Sequence, residues 1–237
     1  MSDLPPYLSL SERIWYYAFR ILCGAIFFFL VFPLVVIIPL SFNAVPFFTF
    51  TKEMLAFDPA GYSLKWYEDF FTNLNWQGAV QNSVIIAIFS TLISTTLGTL
   101  AALGLSRAQM PYRTLIMSIL ISPMIVPLII SAAGMFFFYS RIGIQGTHIA
   151  VILAHAALGT PFVVITVTAT LSGFDNNLIR ASSSLGAPPS TTFFRVIVPL
   201  ITPGVISGAL FAFITSFDEV VVVLFVGSYR QRTIPWQ

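Results

Sequence analysis

Charge is what this sequence has least of: 11 Lys or Arg and 9 Asp or Glu among 237 residues, 8% in all, against about 25% in a typical soluble domain. Hydrophobic residues make up 57%, and the mean hydropathy is +0.90. One soluble core of this length has no room for that much apolar surface, so an ordinary cytosolic enzyme is excluded. The net charge of +2 is too small, and the basic residues too scattered, for a nucleic-acid binder. A single cysteine, Cys23, excludes an intrachain disulfide and a thiolate metal cage. No Gly-x-x-x-x-Gly-Lys-Ser/Thr loop is present, so the chain does not itself cradle ATP. His-Glu-x-x-His, a nucleophile elbow and a Gly cluster opening a helix are missing too. So are low-complexity tracts and any clear internal repeat.

What the sequence does have is long uncharged runs, at 21–51, 70–106, 114–140, 142–174 and 196–217. Each supplies the roughly 20 apolar residues that cross a bilayer. Unbroken runs without polar alternation predict helices rather than strands. Five spans are expected, near 17–40, 80–105, 115–138, 148–171 and 200–226. The first is too long for a signal-peptide core and lacks a small-residue cleavage site. Pro33 and Pro39 are expected to kink or end it. Pro123 and Pro127 fall inside the third, where neighbouring helices re-satisfy the freed backbone.

With the N-terminus inside, Arg13, Arg20, Arg107, Arg113, Arg180 and Arg195 are cytoplasmic, and Lys52, Lys65, Arg141, Arg230 and Arg232 lie outside, six against five. The first outside loop, 41–79, is long and also carries Glu53, Asp58, Glu68 and Asp69. Long loops weigh little in the positive-inside rule, and the N-terminus is read as cytoplasmic. Within that loop, Tyr62 to Tyr67 reads as the approach to an interfacial helix, or simply as an aromatic belt.

The cytoplasmic loop 172–199 is the most specific stretch. Asp175 to Leu185 forms a short amphipathic helix in this reading, with Asp175 as N-cap and Leu178, Ile179, Ala181, Ser182 and Leu185 near one face. Gly186 stops it, Pro188-Pro189 turns the chain, and Ser190 caps a second helix that runs to Pro199. Such a helix suits a groove on a partner protein or rests on lipid; the residues alone leave both open.

Here the chain resembles the integral-membrane subunits of type I ABC importers. Their signature is Glu-Ala-Ala, three residues and Gly, followed about ten residues later by an apolar segment ending in Leu-Pro or Pro-Leu. This chain reads Arg180-Ala181-Ser182-Ser183-Ser184-Leu185-Gly186, then Phe193-Phe194-Arg195-Val196-Ile197-Val198-Pro199-Leu200. Ala181, Gly186 and the Pro199 region match; Arg180 replaces the Glu and Ser182 the second Ala. Ser63-Leu64-Lys65-Trp66-Tyr67, Asn82-Ser83, Gly98-Thr99-Leu100-Ala101-Ala102 and Ser216-Phe217-Asp218-Glu219-Val220-Val221-Val222 are similar to the spermidine/putrescine permease branch.

The resemblance implies an all-α polytopic membrane bundle of the MetI-like kind, with residues 1–237 as one transmembrane domain. It implies a second permease subunit in a heterodimer, two ATP-binding subunits and an extracytoplasmic solute-binding protein, in a bacterial inner membrane. Arg180, Ala181, Ser182, Leu185, Gly186 and Ala187 would face the ATPase. The chain itself would bind no cofactor, with ATP and Mg on the partner ATPase. The family usually has six spans; five are counted, and Arg232 to Gln237 is similar to the segment before the last, so a sixth is expected to be missing.

Asp218 and Glu219 are the adjacent acids of the fifth span. A charged side chain at the bilayer centre costs about 2.5–3.5 kcal/mol on insertion scales, so such groups face a cavity or a partner. If the span enters near Pro203, Asp218 lies about 22 Å further on, in the outer half. Neighbours on a helix diverge by about 100°, so one acid faces the path and one pairs elsewhere. Thr215, Phe211 and Phe217 would help hold a cation, the rings by cation–π contact; the alternative is that the acids bond to the partner subunit or sit near Arg230. Gly204, Gly208 and Ala212 recur at four-residue intervals, which admits close helix packing, with a subunit interface as one candidate place. His148 and His155 read as hydrogen-bonded structural residues, and no metal site is expected. Asn82, Ser83, Ser90, Thr91, Ser94, Thr95 and Thr96 make the second span polar, as a cavity wall or as helix-bonded hydroxyls.

The expected function is a permease subunit of an ATP-driven importer for polyamine-like cations, and not an enzyme. The alternatives are an ABC permease for an opine, an amino-phosphonate or ferric iron, or an ion-coupled secondary carrier. A carrier is marked by repeats and by paired Gly/Pro-broken helices at mid-membrane, and no such pair is legible.

Overall fold

The computed structural model describes residues 9–107, 109–173, 175 and 177–237. They fall into two compact units, Met1–Thr72 and Asn73–Gln237. Among the described residues the regular structure is helical, apart from one isolated antiparallel bridge between Asn43 and Tyr62.

The first unit opens with α1, Leu10–Leu40. Ser9 and Glu12 close a reciprocal capping box, with Ser9 N–H donating to Glu12 Oε2 at 2.8 Å. The helix runs through Pro33 and ends one residue after Pro39, and none of its residues is buried within the chain. A short α2 (Lys52–Leu55) and α3 (Lys65–Thr72) follow; α3 lies where an interfacial helix is expected. Asn43 organises the turn between α1 and α2. Its Nδ2 donates to the Phe47 and Thr49 carbonyls at 2.9 and 2.7 Å, and its own carbonyl accepts from Trp66 Nε1 at 2.8 Å.

The second unit holds α4 (Leu74–Leu105), α5 (Arg113–Ile125), α6 (Leu128–Arg141), α7 (His148–Ser172), α8 (Asn177–Ser184), α9 (Pro189–Thr192), α10 (Val198–Asp218) and α11 (Val221–Val226). Its centre is the mutual packing of α4, α7 and α10, with α11 on α6 and α5 on α7. In lipid no hydrophobic drive separates helix from solvent, so close approach of backbones supplies the attraction. Gly204 and Gly208 face α7: a Cβ on Gly208 would meet Thr166 Oγ1 at 2.5 Å and Val163 Cα at 2.8 Å. Gly159 sits where all three helices meet, since its Cβ would lie 2.8 Å from Ser94 Oγ and 3.0 Å from Ala212 Cβ. The small-residue stripe Gly204, Gly208 and Ala212 therefore packs inside this chain, and not at a subunit interface.

Two spans differ from the expected continuous helices. The third is bent by 103° between α5 and α6. Pro127 has no N–H and bars its predecessor from the helical region, and Val126 is extended with ψ 134°. Pro123 lies within α5 without ending it. The fifth span begins earlier than expected: α9, a π-helical turn (Phe193–Ile197) and α10 form one run from Pro189 to Asp218. Pro199 therefore ends nothing; it follows closely on the π-helical turn, the kind of local irregularity at which a helix accommodates a missing N–H. Ser190 is not the cap; Pro188 occupies that position without a side-chain bond. At its far end the span breaks at Glu219, which is extended with φ −77° and ψ 121°.

Replacing Gly208 with Val should lower the thermal midpoint of the detergent-solubilised protein, by the equivalent of about 1–3 kcal/mol of overpacking. Gly24→Val should leave it unchanged, since nothing lies within 4 Å of a Cβ there. Equal midpoints for the two variants would contradict the packing described.

Candidate functional site

The helical wheel of α10 divides it in two. Ser216, Ala212, Gly208 and Gly204 form its buried face. Asp218, Thr215 and Phe211 lie together on a flank of that face, at spacings of three and seven residues and within about 60° of one another. Asp218 and Phe211 are exposed within the chain and Thr215 is half-buried. The Phe211 ring stacks on Phe162 of α7, with centroids 6.0 Å apart, and Phe217 stacks on Phe213 at 5.7 Å. Phe211 and Thr215 thus share a flank of α10 with Asp218, while Phe217 points about 100° away from it.

The two acids have different surroundings. Glu219 Oε1 accepts from the backbone N–H of Val222 at 3.0 Å, satisfying one of the free donors at the start of α11. Asp218 has no hydrogen bond or ion pair among the described residues. One carboxylate holds a helix start, and the other is exposed at the end of α10 and unpaired among the described residues.

Beneath Asp218, a buried polar cluster joins the three central helices. Ser216 Oγ lies 2.9 Å from Ser90 Oγ and 2.9 Å from His155 Nδ1, and all three residues are buried. Ser94 Oγ reaches the Ala156 carbonyl across the helix interface at 3.0 Å. The polar residues of α4 therefore divide: Ser90 and Ser94 bind helices α10 and α7, and Thr96 bonds back to Leu92. Ser216 was not among the sequence candidates. Its signal was present in the four-residue rhythm after Gly204, Gly208 and Ala212.

Near the N-terminal ends of α4 and α7 a second cluster holds the segment after α11. Asn82 Nδ2 donates to the Arg230 and Arg232 carbonyls at 2.8 and 2.9 Å, and Asn82 Oδ1 faces His148 Nε2 at 2.9 Å. Ser83 Oγ accepts from Ile234 N–H at 2.8 Å. The Arg232 guanidinium lies over the Tyr229 ring, 4.2 Å from its centroid.

In the 172–199 loop, α8 starts at Asn177, two residues later than expected, with Asp175 Oδ1 accepting from Asn177 N–H at 2.9 Å. Phe174 and Asn176 lie outside the described residues. Gly186 turns the chain with φ +78°, a conformation that glycine adopts without strain. Ser182 Oγ meets Thr192 Oγ1 at 2.7 Å, which ties α8 to α9. Arg180, Ala181 and Leu185 are exposed, Leu185 to 88%, and Ala187 is half-buried. The Arg180 guanidinium has no partner among the described residues. Among those residues, no group of three or more His, Cys, Asp or Glu is placed to hold a metal.

Glu219→Ala should lower the thermal midpoint by the equivalent of about 0.5–2 kcal/mol, the scale of a lost helix cap. Asp218→Asn should leave it in place. Ser216→Ala strips His155 Nδ1 of its partner and should cost about 1–3 kcal/mol. A destabilising Asp218→Asn alongside a neutral Glu219→Ala would reverse the roles given to the two acids.

Residues 94–236 match the family described as binding-protein-dependent transport system inner membrane component. The spermidine/putrescine transport system permease protein PotC of Haemophilus influenzae is 30% identical over 210 residues, 89% of this chain and 79% of that protein. The putrescine transport system permease protein PotI of Escherichia coli K12 is 28% identical over 216 residues, 88% of this chain and 74% of that protein. The fold matches a bacterial ABC transporter involved in import of the acidic polysaccharide alginate, with TM-score 0.72, 16% identity, and coverage of 98% of this chain and 80% of that one. The broken third and fifth spans, a mark expected of a secondary carrier, thus occur in a chain of ABC permease fold. This chain belongs to the binding-protein-dependent transport system inner membrane component family: it is a multi-pass inner-membrane permease subunit of an ABC importer, a family that works with ATPase and solute-binding partners, and not an enzyme.

Proposed function

We propose that this permease forms half of a path for polyamine-like cations, pairing with a different permease subunit above two ATPase subunits. The observation that carries the reading is Asp218, an exposed carboxylate on a spanning helix without a partner among the described residues. A free charge there is too costly against lipid, and an ammonium group would neutralise it. Phe211 and Thr215 on the same face offer a ring and a hydroxyl to a short cationic chain. The relatives named for spermidine and putrescine support the same solute class. Opines, amino-phosphonates and ferric iron are the competing solutes, and only a panel test separates them.

The loop 172–199 is the proposed handle. Arg180, Ala181, Ser182, Leu185, Gly186 and Ala187 would sit against the ATPase, which holds ATP and Mg, while this chain binds neither. Closure of the ATPase dimer would move α8 and α9, and α9 continues without a stop into α10, so the displacement would reach Asp218. The N-terminus is proposed to be cytoplasmic. At 1.5 Å per residue the 31 residues of α1 span about 46 Å, against roughly 30 Å of hydrocarbon. The uncharged part from Ile21 onward fills that thickness, and Arg13 and Arg20 remain among the headgroups of the inner leaflet.

In the assembled complex, spermidine or putrescine should stimulate ATP hydrolysis, and neutral solutes should not. Asp218→Asn should raise the half-saturating polyamine concentration roughly ten- to a hundredfold, the scale of a hydrogen bond to a charged group. Wild-type uptake by an assembled Asp218→Asn complex removes that residue from the path. Leu185→Asp should abolish co-purification of the ATPase while membrane insertion is unchanged; retained ATPase would contradict the proposed handle.

A further inference from the structure

The clasp around His148 has a definite pattern of hydrogens. Asn82 spends its amide hydrogens on two backbone carbonyls. Its oxygen, which only accepts, is what faces His148 Nε2, so Nε2 carries a hydrogen. Gln231 Oε1 accepts from Ser228 N–H at 3.1 Å and from Ser228 Oγ at 2.6 Å. Its amide nitrogen is therefore turned to His148 Nδ1, 3.5 Å away. Donor faces acceptor only if Nδ1 is bare. Every amide in the ring of contacts is fixed by a backbone group, so no flip of Asn82 or Gln231 relieves the pattern.

We infer that His148 is a proton site, and that a proton on its bare nitrogen unfastens residues 228–236 from the N-terminal ends of α4 and α7. An Nδ1–H would point at the N–H of Gln231, donor against donor. Gln231 is buried, so it cannot turn to water, and turning its oxygen to the imidazolium takes it from Ser228. Among the described residues the elements around the clasp supply no counter-charge. Helices α4, α7 and α11 contain no Asp, Glu, Lys or Arg, and residues 227–237 contain only Arg230 and Arg232. Arg230 and Arg232 flank Gln231 and add repulsion. The remaining titratable groups on these elements are Tyr229 and His155, the latter two turns along α7; α6, packed on α11, adds Tyr139 and Arg141. Asp218 and Glu219 lie at the opposite end of α11. The sign follows from the geometry: the clasp is complete with a bare Nδ1 and is lost when that nitrogen gains a proton. It lies on the side opposite the 172–199 loop, where in the topology proposed above the external medium sets the acidity.

The test uses the assembled complex with Cys23→Ser and a spin label at Pro235→Cys, an exposed position on the clasped segment. The label should be immobile at about pH 8, with a mobile fraction that rises at least roughly fivefold by about pH 5. His148→Gln should abolish the rise. Gln231→Glu, which offers the imidazolium an acceptor, should abolish or reverse it, and it decides the matter if His148→Gln does not assemble. A flat wild-type response overturns the inference, as does an acid-induced rise retained by either variant.

Discussion

The architecture of the second unit depends on how closely α4, α7 and α10 approach. Lipid chains are as apolar as leucine, so these helices gain little from hiding apolar surface from one another. They gain from dense backbone contact, and Gly159, Gly204 and Gly208 make that contact possible by having no Cβ to meet Ser94, Thr170 or Thr166. The same proximity brings Ser90, His155 and Ser216 within hydrogen-bond reach. Packing and polar satisfaction thus come from one geometric condition. Larger residues on the stripe would separate the helices and leave the buried hydroxyls and imidazole unpaired.

That condition also divides α10 into two sides. One is occupied by α7 and α4, and Asp218 lies off it, exposed within the chain. The helix break one residue later gives Glu219 a backbone donor to accept from, which Asp218 lacks. Two neighbouring acids acquire different tasks because the backbone changes conformation between them. The continuity of α9 into α10 joins the loop at one end of the run to the free acid at the other.

The stretches similar to the polyamine branch have structural work in this fold. Trp66 binds the Asn43 carbonyl, Asn82 and Ser83 hold the segment after α11, Gly98 lies against Val163, and Ser216 meets His155. The exposed side of α8, with Arg180 and Leu185, has no such partner among the described residues.

The helical class and the four to five apolar segments long enough to span a membrane were legible in the sequence, because run length and charge depletion are one-dimensional properties. So was the turn at Gly186 and Pro188, which local backbone chemistry dictates. The packed stripe on α10 was legible as a four-residue rhythm, but its partner was not, since small spacing says that a helix comes close and not which one. The bends at Pro127 and Glu219 escaped a reading by hydropathy: a broken apolar run has the same composition as a continuous one, and only the neighbours decide whether the chain turns. The division between Asp218 and Glu219, the bond of Ser216 to His155 and the clasp of Asn82, His148 and Gln231 join residues up to 150 positions apart. Sequence determined which groups must find partners in an apolar medium; tertiary structure alone decided which partners they found, because hydrogen bonds depend on distance in space and not along the chain.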